Sequence, residues 1–243
     1  MAQPETAGRS SRVSRPPGVS VILIVRNGER FLADALESVL LSSRRPAEVL
    51  VVDGDSTDRT LEIAARFPEV TLVRQRSAGL TNAYNEGIDL ARGDLLAFIS
   101  HDDRWLPGKL DRQVDYMVKH PEVLYTVTHV QHVLVPGAVP PPGFRTELLE
   151  RPVPGFIMET LVARRRCFDT VGRLDPGIGV PSDTDWFARA RDLGVPMAVL
   201  PETLVHKRVH GANASLTEPR INGMLLSALR NSIGRKRATP GAA

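Results

Sequence analysis

The chain has 243 residues, 42% of them hydrophobic, and a single cysteine. That is enough for one substantial α/β domain, without an internal disulfide, in a reducing and by expectation cytoplasmic compartment. The formal charge of +3 is uneven: +2 over residues 1–18, +4 over 230–243 and −3 between them. A mildly acidic body excludes a basic nucleic-acid-binding face, the lack of a long uncharged apolar run excludes a transmembrane segment, and the polar N-terminus has no secretory h-region. The basic tails are read as solvated, with peripheral contact to anionic lipid left open.

Residues 1–17, rich in Ser, Arg, Pro and Gly, read as a disordered tail, residues 18–215 as the folded domain, and 216–243 as a C-terminal helix and basic tail. Val19–Val25 is a near-continuous apolar strand of the kind covered on both faces. Helical spacing of Phe31, Leu32, Ala35, Leu36, Val39 and Leu40 predicts a helix over roughly 29–42. Val49–Val52 follows as a buried strand, then a loop and a helix with Leu61, Ile63, Ala64 and Phe67. Val70–Val73 is the next strand, 82–91 a helix, and Leu95–Ile99 another buried strand. This alternation predicts a doubly wound, mostly parallel sheet with right-handed crossovers. The second half is less regular: a helix from about Pro107 to Lys119, one or two strands over Val123–Val135, a strand at Phe156–Val162, a short helix to Val171, a helix over Asp183–Leu193, strands at Met197–Leu200 and Val205–Val209, and a final helix over 217–232. Residues 136–155 hold six prolines and three glycines, and so long a loop reads as functional or mobile.

Polar stations follow these strands or open these helices. Asp53 ends the second strand, where a carboxylate can accept a hydrogen bond from a nucleobase or ribose. Its neighbour Asp58 is assigned to helix capping. Gly79–Gly87 reads equally as a close approach to a ligand and as a helix start with Gly87 for packing. Asp102 and Asp103 emerge from Leu95–Ile99, where open α/β sheets bind ligands, and paired carboxylates suit a hard divalent cation with substrate phosphates. Asp183 opens a helix, where it could act as a general base, although an N-cap explains it equally well alone. Lys207 to Ser215 offers cations and His210, which could neutralise a diphosphate. Each station singly has a plainer turn or cap reading; their consistent order along one α/β chain favours a single site.

Taken together, Val19–Leu32, Glu48–Thr60, Gly79–Gly87, Leu95–Leu110 and Val171–Ala190 resemble, in order, the segments of the family 2 glycosyltransferases of the GT-A fold. The resemblance implies a single GT-A-like domain with a nucleotide-sugar half (18–106) and a less regular acceptor half (107–215). It implies an inverting transfer from a nucleotide-diphosphate-sugar, a UDP-sugar being favoured, to an unknown acceptor, with Mn²⁺ or Mg²⁺ as cofactor. On the matching positions, Asp53 binds the base, Asp103 is the main metal ligand and faces the cleft, Asp102 supports the sugar or ribose, Asp183 is the general base with Asp185 as fallback, and His210 belongs to a tail motif near the nucleotide-sugar. Ser100 and Ser182 depart from the pattern, which has Asp and Glu there. Those departures sustain an alternative, a non-catalytic nucleotide-sugar-binding scaffold or sensor. The chain lacks the Gln-x-x-Arg-Trp motif of processive synthases, which points to single-sugar transfer. A nucleotidyltransferase or a dinucleotide oxidoreductase would want a glycine-rich loop after the first strand, and Arg26-Asn27-Gly28-Glu29 is not one.

Overall fold

Strand β1 (Val19–Val25) is apolar at all but one position and buried at all seven, because it lies inside the sheet with helices on both faces. In this computed structural model, which describes residues 16–213, 223, 226 and 230–235, the chain continues through α1 (Leu32–Leu40), β2 (Glu48–Asp53), α2 (Thr60–Ala64), β3 (Val70–Arg74), α3 (Leu80–Leu90) and β4 (Leu95–Ser100). Then come β5 (Arg104–Trp105), α4 (Lys109–Lys119), β6 (Tyr125–Leu134), α5 (Glu147–Glu150), β7 (Val153–Pro154), β8 (Val162–Arg164), α6 (Arg165–Val171), α7 (Ser182–Asp192) and β9 (Met197–Val209). The sheet order is β3-β2-β1-β4-β8-β6-β9-β5, with β7 beside β6. The first four strands in that order are parallel, as expected for a doubly wound sheet. The second half mixes antiparallel ladders at β8, β5 and β7 with one parallel ladder between β6 and β9.

Alternate residues of β1 feed two cores. Val21 and Leu23 pack with Leu32, Leu36, Leu110 and Val114 of α1 and α4. Ile22 and Ile24 pack with Tyr84 and Ile88 of α3, Phe168 of α6 and Trp186 of α7. The chain runs from β1 outward to β2 and β3, then returns to place β4 on the other side of β1. That reversal opens a crevice at the carboxyl ends of β1, β2 and β4. Register brings the ends level: Val25 lies opposite Asp53, and Ile24 opposite Ser100.

Three expectations for the second half are corrected. Phe156–Val162 is not one strand: Met158–Thr160 forms a 3₁₀ turn and β8 starts at Val162. The two short strands after α7 are one 13-residue strand, β9; its pairing with β6 shifts register at Thr128–Val130, which absorbs Pro201 and its neighbours without ending the strand. Residues 136–155 are not wholly irregular, since α5 lies on β6 with Gln131 Nε2 donating to the Leu149 carbonyl at 2.9 Å. Residues 1–15 of the expected tail and most of 214–243 lie outside the described residues, of which 230–235 are helical. Among the described residues no helix is long and apolar enough to cross a membrane.

Candidate active site

The crevice holds a cavity of about 500 Å³ lined by Val25, Gly54, Gln75, Gly79, His101 and Asp102, among others. A smaller one of about 80 Å³ shares Leu80 and Asp102 with it and adds Tyr84, Glu159, Asp183 and Asn213. An apolar cavity of about 700 Å³ lies against α7 at Thr184 and Phe187, but none of the site carboxylates lines it.

Asp53 ends β2 and is 2% exposed. Its Oδ2 accepts the Ser56 N–H at 3.1 Å, while Oδ1 is buried with no partner. A buried acceptor left unpaired costs about 1–3 kcal/mol, and Asp53 lies next to Gly54 of the cavity wall. Asp58 is a cap, as expected, with Oδ1 accepting the Thr60 N–H at 3.0 Å at the start of α2. Of the two readings of 79–87, the packing one is seen at Gly87. Gly79 lines the larger cavity. At Gly87 a Cβ would sit 2.4 Å from Ile22 Cγ2, so only glycine lets α3 lie on β1.

Asp102 and Asp103 part company. Asp103 was expected to face the cleft; instead it is fully buried. Its Oδ2 accepts from Lys207 Nζ and its Oδ1 from the Arg208 N–H, each at 2.9 Å. The cause is β9, which runs past the loop after β4 and satisfies both oxygens. Burial works against the Lys207 charge, but Asp103, Glu159 and Asp102 outweigh it and hold the proton well above the usual lysine range. Asp102 lines both cavities. Its Oδ2 faces His210 Nε2 at 3.2 Å and accepts from Asn213 Nδ2 at 3.0 Å, while Oδ1 has no protein partner among the described residues. The Ala212 N–H points at His210 Nδ1 (3.2 Å), so the ring proton is assigned to Nε2, the donor to Asp102. Burial works against the Asp102 charge, but His210, Lys207 and His101 outweigh it and hold the carboxyl well below its usual range.

Asp183 sits in the first turn of α7. Its Oδ1 accepts the Thr184 N–H at 2.6 Å, and Oδ2 has no partner among the described residues. Burial pushes its carboxyl up to about 6, and the Glu159 charge adds to the effect. Ser182 ties the same turn to α3 through Thr81 Oγ1 at 3.0 Å. Asp185, the fallback base, is 2% exposed and bound to Arg189 at 2.8 Å; it is a structural residue of α7. The fit of a divalent ion can be judged from these oxygens. No group of three His, Cys, Asp or Glu among the described residues could hold one, but magnesium-type sites commonly use one or two carboxylates with substrate phosphates and water, and Asp102 Oδ1 meets that need.

Two residues escaped the sequence reading in their present roles. Glu159, a lone carboxylate in the apolar run Phe156–Val162, is 5% exposed and reaches Ser100 Oγ at 2.6 Å. Its isolation in that run was the available signal. Lys207 reads in sequence as a cation for a diphosphate, but it is spent on Asp103 and on Glu159, at 3.6 Å.

Residues 20–172 match the family described as glycosyl transferase family 2; Asp183 and His210 lie beyond the matched range. An uncharacterised protein of Mycobacterium tuberculosis is 30% identical over 211 residues, covering 79% of this chain and 59% of that protein. An uncharacterised glycosyltransferase of Nostoc sp. is 26% identical over 215 residues, covering 80% of this chain and 66% of its own. The chain thus spans about three fifths to two thirds of the length of these relatives. Among solved structures, S. aureus TarS 1–349 in complex with UDP-GlcNAc superimposes with a TM-score of 0.70 at 16% identity, covering 93% of this chain and 68% of that one.

Proposed function

The chain belongs to glycosyl transferase family 2, and from that premise we propose that it moves one sugar from a UDP-sugar to an acceptor hydroxyl, with inversion and with help from a divalent ion. One observation carries the reading. Around a single crevice, Asp53, Asp102 and Asp183 each have one oxygen tied to the protein and the other without a protein partner. Folded proteins pair their buried polar atoms; Asp53 Oδ1 is buried and unpaired, Asp102 and Asp183 line the smaller cavity with an oxygen each to spare, and together they favour ligands that complete them. The solved complex of TarS with UDP-GlcNAc supports a uridine donor. The single cysteine fits work in the cytoplasm.

Asp53 Oδ1 takes a hydrogen bond from the nucleobase. Asp102 Oδ1, rather than the enclosed Asp103, is the protein ligand to Mn²⁺ or Mg²⁺, and His210 orients it from Oδ2. The ion, when bound, stabilises charge on the departing diphosphate. Asp183 Oδ2 takes the proton from the acceptor hydroxyl as its oxygen attacks the anomeric carbon from the face opposite the diphosphate. The new C–O bond forms as the bond to the diphosphate breaks, and the nucleoside diphosphate leaves. Acceptor choice is assigned to residues 136–165, Glu159 excepted, which lines the smaller cavity.

The test is thermal stability with UDP and Mn²⁺. A ligand that binds only the folded chain stabilises it by roughly 2.7 kcal/mol at a hundredfold excess over Kd. UDP should raise Tm with Mn²⁺ and not with EDTA, and Asp53→Ala should lose most of the shift. An equal shift in EDTA would remove the metal from the reading, and no shift in either would remove the nucleotide.

A further inference from the structure

The Glu159 carboxylate is not needed by the mechanism above, yet it is buried at the edge of the cavity that also holds Asp102 and Asp183. Among the described residues, Oε1 makes the hydrogen bonds and ion pair of this side chain: Ser100 Oγ at 2.6 Å, the Tyr84 hydroxyl at 3.4 Å and Lys207 Nζ at 3.6 Å. Its Oε2 has no hydrogen-bond partner among the described residues. The 3₁₀ turn Met158–Thr160 fixes this orientation, with Thr160 Oγ1 donating to the Ile157 carbonyl at 2.9 Å and Leu161 N–H to the Met158 carbonyl, also at 2.9 Å. The cavity shares Leu80 and Asp102 with the nucleotide-side cavity and has Asp183 in its own wall. A group lying between a diphosphate at Asp102 and a base at Asp183 is the transferred sugar.

We propose that Glu159 is a specificity-determining residue: Oε2 accepts a hydrogen bond from a hydroxyl of the transferred sugar and turns away sugars that carry a carboxylate. The inference rests on the UDP-sugar reading given above. Its physical basis is the charge around the cavity. Asp102, Glu159 and Asp183 line the cavity with Asp103 behind them, and the cationic groups near these acids are Lys207, Lys109, Arg208 and the His210 imidazole, none of which lines the cavity itself. Arg208 shares its guanidinium between Asp34 and the backbone carbonyls of Asp102 and Asp103. A bound divalent ion at Asp102 offsets part of this negative charge, on the phosphate side. A sugar hydroxyl gains a charge-assisted hydrogen bond there, whereas a uronate sets like charges together in a closed space, which costs several kcal/mol in interfaces.

Titration calorimetry with Mn²⁺ and three probes, UDP, UDP-glucose and UDP-glucuronic acid, tests this on the full chain. The wild type should bind UDP-glucose at least about tenfold more tightly than UDP-glucuronic acid, tenfold being about 1.4 kcal/mol. Glu159→Gln should bring the two within about threefold while UDP affinity stays unchanged. Because Glu159 is buried beside Lys207, Glu159→Asp serves as a second variant: it keeps the charge but withdraws it by one methylene. It should still reject UDP-glucuronic acid and lose affinity for UDP-glucose. Wild-type binding of both UDP-sugars with equal affinity, or an unchanged ratio in a folded Glu159→Gln, overturns the proposal with the donor reading intact. Failure of UDP itself to bind the wild type overturns the donor reading and this inference with it.

Discussion

Substituting Asp102 and Asp103 in turn separates a cavity-lining carboxylate from an enclosed one. Asp102→Asn should abolish the Mn²⁺-dependent part of UDP binding and also lower Tm, because Oδ2 loses its charge toward His210 and Asn213. Asp103→Asn should leave Lys207 as a buried charge short of its counter-ion, a loss of about 3–5 kcal/mol by denaturant unfolding; a stable Asp103→Asn chain that fails to bind Mn²⁺ would reverse the assignment. Asp183→Asn should keep donor binding and lose transfer by on the order of a hundredfold to ten-thousandfold. Since a general base must be unprotonated, wild-type kcat/KM should rise with pH through an acid limb near 6, the value to which burial and Glu159 bring Asp183. A flat profile from pH 5 to 7 would count against Asp183. At this scale the stations were legible because each acidic residue follows a buried strand or opens a helix. Which of two adjacent aspartates faces the ligand was not, because the answer is set by Lys207, 104 positions away on another strand.

Two elements carry packing choices that can be checked on their own. Helix α3 approaches β1 at Gly87, where an added methyl meets Ile22 at 2.4 Å, so Gly87→Ala should destabilise by about 1–3 kcal/mol despite alanine's better helix propensity; an unchanged denaturation midpoint would show that the contact relaxes freely. Helix α4 begins at Lys109, which is 1% exposed, donates to Gln113 Oε1 at 2.7 Å and sits 4.5 Å from the centre of the Trp105 ring. Burial brings its pKa down to about 7, the Glu159 charge only partly opposing. The folded state then binds fewer protons than the unfolded state between pH 7 and the unfolded lysine value of roughly 10.4, so wild-type stability gains with pH across that window. Lys109→Met lacks this dependence. Its stability relative to wild type should be most favourable near pH 7 and decline towards pH 10, and a constant difference would contradict the buried charge. Helix and strand existence in the first half was legible from period and length. The second half misled where a 3₁₀ turn imitated a strand and where β9 ran on through Pro201, since a register shift in its ladder with β6 leaves Pro201 unpaired and lets the strand continue.

Over the whole molecule, a parallel, doubly wound first half and ligand-binding stations at its strand ends were legible from apolar runs alternating with helical periods, and the family from the resemblance of five segments in order; the order of the strands was not. Nor was the extent of the second half's antiparallel ladders, because those pairings join segments far apart in sequence and leave no local pattern. One of them has a consequence for how the protein is made. The first four strands and their crossovers are complete by Ser100, but the partners of Asp103 and Asp102 arrive only with Lys207, Arg208 and His210. During synthesis the first half can therefore collapse while its most deeply placed acid still lacks a counter-ion, and β9 closes the domain when it leaves the ribosome. A chain ended at residue 196 should accordingly be open to protease around residues 100–106 and silent toward UDP, whereas one ended at 213 should resist cleavage there. That outcome would make β9 a late-acting latch that completes the surroundings of Asp102 and Asp103 only once the chain has been made through His210.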